Sequence, residues 1–401
     1  MSNSRSRWVF ISQPVVAVVL LAACSGPEPG ASPSIAGPAA GVLSAEAPVT
    51  PGTTPAATTG IGAGLSAPRT GTVDPAAVDE GLTRMLSGGE RYERLIKAVV
   101  IQVDGETVAD HYAADSGPAV FHNGHSVTRS VMSILIGIAI ADGTVPGVDA
   151  TLAELLPDRT AGMAPGMAEV TLRQILTMTS GLPPDELFTE KYGPNADWTA
   201  VTLSTDLAQP PGTSFAYASS GSHLLSAILV QATGRSVLDY AREKLFDPLG
   251  IVTRPATDAT VDLSPAAYDA LPGFAWTVDP TGLHLGFGDL KLTAPDMAKL
   301  GQLYLQNGVW AGEQLVPTGW VQDSTTGQVD GEGNEYGYQW WVFDAHGHPA
   351  FAAFGLAGQL IEVVPDLGLV VAVSSQADPA QFDPDSIADL VSTWIVPAVA
   401  G

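Results

Sequence analysis

His125-Ser126-Val127-Thr128-Arg129-Ser130-Val131-Met132-Ser133-Ile134-Leu135-Ile136-Gly137-Ile138-Ala139-Ile140-Ala141-Asp142-Gly143 is the stretch on which the rest of the chain depends. Its second half is apolar nearly all round, the pattern of a helix buried on every side. Gly137 lowers helix propensity, and in such a setting it permits close packing against a neighbour. Asp142-Gly143 ends the helix, with glycine suited to the left-handed position beyond it. Ser126 then stands where a loop enters the first turn. Unpaired backbone N–H groups and the positive end of the helix dipole favour a developing negative charge there. A serine so placed is an N-cap or a nucleophile, and by frequency alone the cap leads.

Working outward, Ala98 to Val103 reads as a strand, Asp104-Gly105 as a tight turn and Glu106 to Tyr112 as the returning strand. Before them, Asp74 to Leu86 has helical spacing, with Val78, Leu82 and Leu86 on one face. After the buried helix, residues 152–249 give helices and loops with few strand signals. Thr293 to Asn307 reads as a helix, followed by strand-like runs at Tyr336 to Phe343, Gln359 to Val364 and Leu369 to Ser374. Asp383 to Val396 reads as a closing helix. Strands at both ends around a helical block predict an α+β, antiparallel-sheet α/β architecture: one sheet built from both ends of the chain, with a helical region inserted.

The chain has 401 residues, 45% of them hydrophobic and 15% charged, enough to bury a sizeable core. Its formal charge of −25, from 42 acidic against 17 basic residues, argues against nucleic acid as a partner. Arg5 and Arg7 precede an apolar stretch, Val15 to Ala23, too short to span a bilayer as a mature helix. It ends in Leu21-Ala22-Ala23-Cys24, which resembles a bacterial lipoprotein lipobox. The resemblance implies a signal peptide over residues 1–23, lipidation of Cys24 and an exported, membrane-anchored protein of the cell envelope. An ordinary cleaved signal would imply export as well. Cys24 is the only cysteine, which excludes intramolecular disulfides and cysteine-based zinc sites. Residues 24–72, rich in Gly, Pro, Ala and Thr, read as a flexible tether, and 73–401 as the folded domain.

Several further segments belong with Ser126-Val127-Thr128-Arg129. They are Leu172-Arg173-Gln174-Ile175-Leu176-Thr177-Met178-Thr179-Ser180-Gly181-Leu182, then Pro211 to Gly221 around Tyr217-Ala218-Ser219. Ala232-Thr233-Gly234, Leu245-Phe246-Asp247-Pro248-Leu249-Gly250 and Gly355-Leu356-Ala357-Gly358-Gln359 follow. In this order they resemble the class C β-lactamase-like serine hydrolases, a family that includes penicillin-binding-protein-like peptidases, esterases and 6-aminohexanoate-dimer hydrolases. The resemblance spans roughly residues 80 to 395 and implies a mainly antiparallel sheet flanked by helices, with an all-helical subdomain and the site between them. It implies Ser126 as nucleophile and Tyr217 as base, with Arg129 and Ser219 beside them. It also implies an oxyanion site made by the backbone N–H groups of Ser126 and Gln359, next to Ala357 and Gly358. The substrate would be a small-molecule or cell-wall-derived ester or amide, with no cofactor.

Three positions depart from that pattern. Arg129 stands where relatives have lysine, and arginine cannot act as a general base. A guanidinium one helical turn from Ser126 can stabilise a phenolate or oxyanion, which leaves Tyr217 as the sole base. Ser219 replaces the motif asparagine, and a hydroxyl can still donate and accept. Leu356-Ala357 removes a cation that would hold a substrate carboxylate. Arg129 keeps a second class open, a degenerate hydrolase acting as a binding module.

Other features read more simply. Taken singly, Tyr217 is a core tyrosine, His223 a hydrogen-bonded side chain, and Trp340-Trp341 an alternation of core and surface on a strand. His122 with His125, or His346 with His348, lacks the carboxylate arrangement of a metal site, so no metal is expected. Gly124-His125-Ser126-Val127-Thr128 begins like a nucleophile elbow but lacks its last glycine.

Overall fold

The computed structural model describes residues 73–87, 95–184, 190–331, 333–376 and 385–401. The expected signal, Cys24 and the tether lie outside these residues, as do Asp383 and Pro384 of the expected closing helix.

Helix α1 (Pro75–Ser87) buries Val78, Leu82 and Met85. Strand β1 (Ile96–Val103) turns into β2 (Glu106–Tyr112) through Asp104 and Gly105, both at positive φ, the geometry whose twist suits a two-residue hairpin. A short β3 (His122–Asn123) leads into α2 (Val127–Ala141), which is buried from Val127 through Ala139. Gly137 is where this helix meets another: a Cβ there would lie 2.4 Å from the Trp320 ring. Next come α3 (Leu172–Leu176), α4 (Ser219–Thr233), β4 (Lys291–Leu292) and α5 (Ala294–Leu305), the last capped by the Thr293 side chain.

The remaining strands are β5 (Val329–Asp330), β6 (Glu335–Tyr336), β7 (Trp341–Ala345), β8 (His348–Gly355), β9 (Gln359–Val364) and β10 (Leu369–Ser375). They complete one antiparallel sheet in the order β2-β1-β10-β9-β8-β7-β6-β5. The sheet is thus assembled from both ends of the chain, as the element order predicts. Alternation along β9 sends Ile361 and Val363 to a core shared with α2, α4 and α5, and Leu360 and Val364 to a second core. That second core is closed by α1 and by the last helical stretch, Asp385–Leu390, Val391–Ile395 and Val396–Ala400. Full burial of each such side chain stabilises the fold by about 1.5–3 kcal/mol.

Three details differ from the sequence reading. The run Tyr336 to Phe343 is broken, because Gln339 adopts φ 63° and its N–H donates to Leu176 O rather than to a strand. Strand β8 has no counterpart in that reading. Trp340 and Trp341 both lie in the interior, at 0% and 4% exposure, on opposite faces, so neither is a surface residue.

Candidate active site

Ser126 precedes the first residue of α2 with φ −70° and ψ −5°, and its side chain makes no capping hydrogen bond. The base-rate role of such a serine is therefore unfilled. The first-turn N–H groups are satisfied by the chain just before them: Val127 N donates to Gly124 O, Thr128 N to His125 O, and Arg129 N to Ser126 O. Ser126's own N–H donates in none of these pairings.

The turn before Ser126 is held in an unusual conformation. His125 has φ 45°, uncommon for a side chain with a Cβ. Its N–H donates to Asn123 Oδ1 at 2.8 Å, its carbonyl accepts from Thr128 Oγ1 at 2.7 Å, and Asn123 Nδ2 donates to Asp289 Oδ1 at 2.9 Å. Leu290 N donates to Thr128 Oγ1, tying the strand before β4 to the same turn. Desolvation holds the His125 imidazole below its ordinary range, against the opposing charges of Asp289 and Asp269, so it is neutral beside the serine.

Glycine brings the third motif to this turn. Gly355, the last residue of β8, packs against Gly124 so closely that a Cβ would lie 2.2 Å from Gly124 O. The loop that follows reverses through Ala357 and Gly358, both at positive φ, and enters β9 at Gln359. The Gln359 side chain turns away from the cleft: Nε2 donates to Ser375 O at 2.5 Å, and Ser375 Oγ donates to Ala357 O. Only the Gln359 backbone is left for the role that resemblance gives it. Leu356, at the loop's tip, is 41% exposed.

Arg129 lies inside this group, 3% exposed. Nη1 donates to Ser222 Oγ and Nη2 to Ser219 Oγ, each at 2.7 Å, and Nε has no hydrogen-bond partner among the described residues. The guanidinium carbon stands 4.3 Å from the Tyr217 ring centroid and 5.9 Å from that of Phe287. Arg129 therefore meets Tyr217 through its ring face, an arrangement worth about 2 kcal/mol when desolvated. Ser222 passes the contact on, donating to Gln339 Oε1 at 2.9 Å, while Gln339 Nε2 donates to Leu176 O and Ser130 Oγ donates to Gln339 O.

Tyr217 is half-buried in an aromatic wall, stacked on Trp341 with centroids 6.0 Å apart and flanked by Phe215 and Tyr336. Its segment is held to the end of α3 by Ala216 N donating to Met178 O and Gly212 N to Thr179 O. Gly181 allows that approach: a Cβ there would lie 2.2 Å from Gln209 O. His223, one residue past Ser222, is buried and paired. Its Nδ1 accepts from Gly286 N–H, which assigns the proton to Nε2 and makes it the donor to Asp279 Oδ2 at 3.2 Å. Burial pushes the Asp279 carboxyl up, but hydrogen bonds from His223, Thr281 and the Leu283 N–H outweigh it and hold it below the usual range.

The fold thus brings Arg129, one helical turn on from Ser126, against Tyr217 and Ser219, and brings the Gly355 to Gln359 loop to the turn before Ser126. Within that loop, Gly355 is the glycine that approaches the turn before Ser126, a contact the sequence reading did not single out. Ser222, Phe287, Tyr336 and Gln339 were also missed. Tyr336 and Gln339 sit in Tyr336-Gly337-Tyr338-Gln339-Trp340-Trp341, whose aromatic density was the available signal.

The Beta-lactamase family model matches residues 86–392. Penicillin-binding protein 4 of Amycolatopsis lactamdurans is 28% identical over 277 residues, covering 64% of this chain and 71% of its own length. The 6-aminohexanoate-dimer hydrolase of Paenarthrobacter ureafaciens is 24% identical over 331 residues, covering 75% and 78%. A penicillin-binding protein homologue from Caulobacter crescentus has the same fold, with TM-score 0.62 and 19% identity over 81% of this chain and 99% of its own.

Proposed function

The chain belongs to the Beta-lactamase family, and from that premise we propose that it is a serine hydrolase that transfers an acyl group to Ser126 and hydrolyses an ester or amide. The observation that carries this reading is the Ser126 hydroxyl at a helix N-terminus, free of any capping bond, with Arg129 one turn on lying over Tyr217. Ser126 Oγ attacks the acyl carbon as its proton passes to Tyr217. The tetrahedral oxyanion takes hydrogen bonds from the backbone N–H groups of Ser126 and Gln359. The bond to the leaving oxygen or nitrogen then breaks, and Tyr217 returns the proton to that atom. Water reverses the sequence at the acyl-enzyme.

Two features support a substrate preference. Phe215, Tyr217 and Trp341 cluster beside Arg129, and by resemblance the exposed Leu356 with Ala357 occupies the motif where relatives carry a cation that would hold a carboxylate. Small esters with apolar acyl groups suit these features better than carboxylate-bearing β-lactams. Labelling by a fluorophosphonate probe, lost in Ser126→Ala, tests the nucleophile. Turnover of short p-nitrophenyl esters above that of nitrocefin tests the preference. Robust nitrocefin turnover without esterase activity would reverse the assignment.

Arg129 favours a second reading, a binding module that retains the cleft without turnover. Its N–H groups are engaged with Ser219 and Ser222 and it cannot accept a proton. A wild type inert to the probe, with labelling restored by Arg129→Lys alone, would select that reading. The same proposal includes export and anchorage at a lipidated Cys24. A Cys24→Ala chain should lose the lipid mass and leave the membrane fraction, and a wild type without lipid on its mature N-terminus would remove the anchor.

A further inference from the structure

Asn123 closes β3 two residues before His125, and it is 9% exposed. Its amide is used at both ends. Oδ1 accepts the His125 N–H at 2.8 Å, and Nδ2 donates to Asp289 Oδ1 at 2.9 Å. Reversing the amide would set N–H against N–H and carbonyl against carboxylate, so the two partners fix which atom is which. Aspartate has acceptors only, and beside Asp289 it could make the first bond but not the second.

These bonds meet at the residue that aims Ser126. The 45° φ of His125 is the torsion about the bond from its N–H to its Cα, so whatever holds that N–H holds the angle. Thr128 Oγ1 holds the His125 carbonyl from the helix side, and Asn123 Oδ1 holds the N–H from the strand side. Asp289, itself at φ 59°, is fixed to other parts of the domain: its carbonyl accepts from Thr277 N at 3.1 Å and from the Tyr268 hydroxyl. The carboxylate that orients Asn123 is therefore anchored outside the turn it serves. Backbone bonds from Gly124 N to Leu290 O and from Val127 N to Gly124 O involve neither side chain. They keep the turn in place as a whole and leave its finer angle to Asn123.

We propose that Asn123, oriented by Asp289, is a positioning residue for the nucleophile: it holds the His125 backbone at positive φ and so sets the direction from which the Ser126 hydroxyl meets the acyl carbon. This role rests on the acyl-transfer reading above. Neither side chain takes part in the proton transfer from Ser126 to Tyr217. Their effect is on alignment, which governs the acylation step and leaves the residues that receive the substrate unchanged.

Exchanging the two residues tests this, with the first-turnover release of nitrophenolate from a p-nitrophenyl ester as the measure of Ser126 acylation. Asn123→Asp keeps the acceptor for the His125 N–H but sets two carboxylates against each other. Its maximal acylation rate should fall about 100-fold at an unchanged half-saturating ester concentration. Asp289→Asn keeps an acceptor for Asn123 and suits a positive φ, so it should acylate near the wild-type rate. The double variant Asn123→Asp with Asp289→Asn reverses donor and acceptor and should recover most of the lost rate. Asp289→Gly relaxes its own backbone while removing the carboxylate, should lose about 10-fold, and serves if Asn123→Asp does not fold. A partly unfolded but otherwise normal chain would lose amplitude in this measurement, not rate. Asn123→Asp or Asp289→Gly at the wild-type rate overturns the proposal, as does a double variant no faster than Asn123→Asp. A raised half-saturating concentration at an unchanged maximal rate overturns it too, by placing the effect on binding. A wild type never acylated at Ser126 overturns the acyl-transfer reading and this role together, whereas an acylated wild type with unmoved variants overturns this role alone.

Discussion

The two faces of the sheet bury polar groups in different surroundings. Toward α2 and α4, several buried polar side chains are linked: Ser130 to the Gln339 carbonyl, Ser222 to the Gln339 side chain, and Arg129 to both Ser219 and Ser222, while Ser133 Oγ and Ser220 Oγ have no hydrogen-bond partner among the described residues. Toward α1 and the closing helix, the interior is hydrocarbon around Glu362, whose two carboxyl oxygens have no hydrogen-bond partner among the described residues. Its cross-strand neighbours are Ala352 and Val371. Burial, reinforced by the charge of Asp389, pushes the Glu362 carboxyl up to about 8. The linked face uses polar atoms to fix the positions of a few side chains. The hydrocarbon face holds the sheet closed and accommodates a carboxyl best as the neutral acid.

The largest effect that would sharpen this contrast is at Glu362. Below its ordinary value of 4.5 the carboxyl is protonated in both folded and unfolded chains. Between there and about 8 only the unfolded chain ionises, so it binds fewer protons and stability falls as pH rises. Above that window the full penalty, on the order of 3–5 kcal/mol, is present. Glu362→Leu should therefore gain stability over wild type progressively from weakly acidic to alkaline pH in urea unfolding. A wild-type minus variant difference that stays flat with pH would show that the carboxyl is not held neutral.

On the linked face, Gly355→Ala inserts a methyl group where Gly124 O already stands. The turn before Ser126 must shift, and a displacement of that kind can lower a rate about 100-fold. Ester turnover should fall far more than thermal stability, which overpacking costs about 1–3 kcal/mol. Parallel kinetics and melting measurements separate the two, and an unchanged rate would detach this contact from the site. Ser130→Ala is the mildest probe. It removes one donor to Gln339 O and should cost about 0.5–1.5 kcal/mol with little change in substrate binding. A cost near zero would mean that the polar links are incidental to the face they occupy.

The same contrast separates what could be read from the chain alone. Periodicity and turn residues located α2, the β1–β2 hairpin, β9 and α5 within a residue or two, because each is set by its own neighbours in sequence. Strand β8 escaped notice because Pro349-Ala350-Phe351-Ala352-Ala353 has weak strand preference, and pairing with β7 and β9 overrides it. The break at Gln339 depends on hydrogen bonds to Leu176 and Ser130, which lie far away in the chain. In the site, the order of the motifs pointed to Ser126, Tyr217 and Ser219. What surrounds them was not legible. Arg129 to Ser222, Gly355 to Gly124 and Tyr336 to Tyr217 are contacts across long separations, and no local pattern encodes them.

The pairing of β1 with β10 sets the timetable of folding. The first hairpin of the domain can form early, but one side of β1 waits for a partner that is the last strand of the sheet. Closing so long a loop adds only slowly to the entropy cost, yet it places the decisive contact at the end of the search and makes folding slow. Until that contact forms, Ala98 to Val103 offer an open hydrogen-bonding edge beside a strongly apolar strand. A chain emerging from its N-terminus as a thread is thus kept from completing its core until nearly all of it has arrived, and a nascent chain stalled before Leu369 would be the form most prone to aggregate.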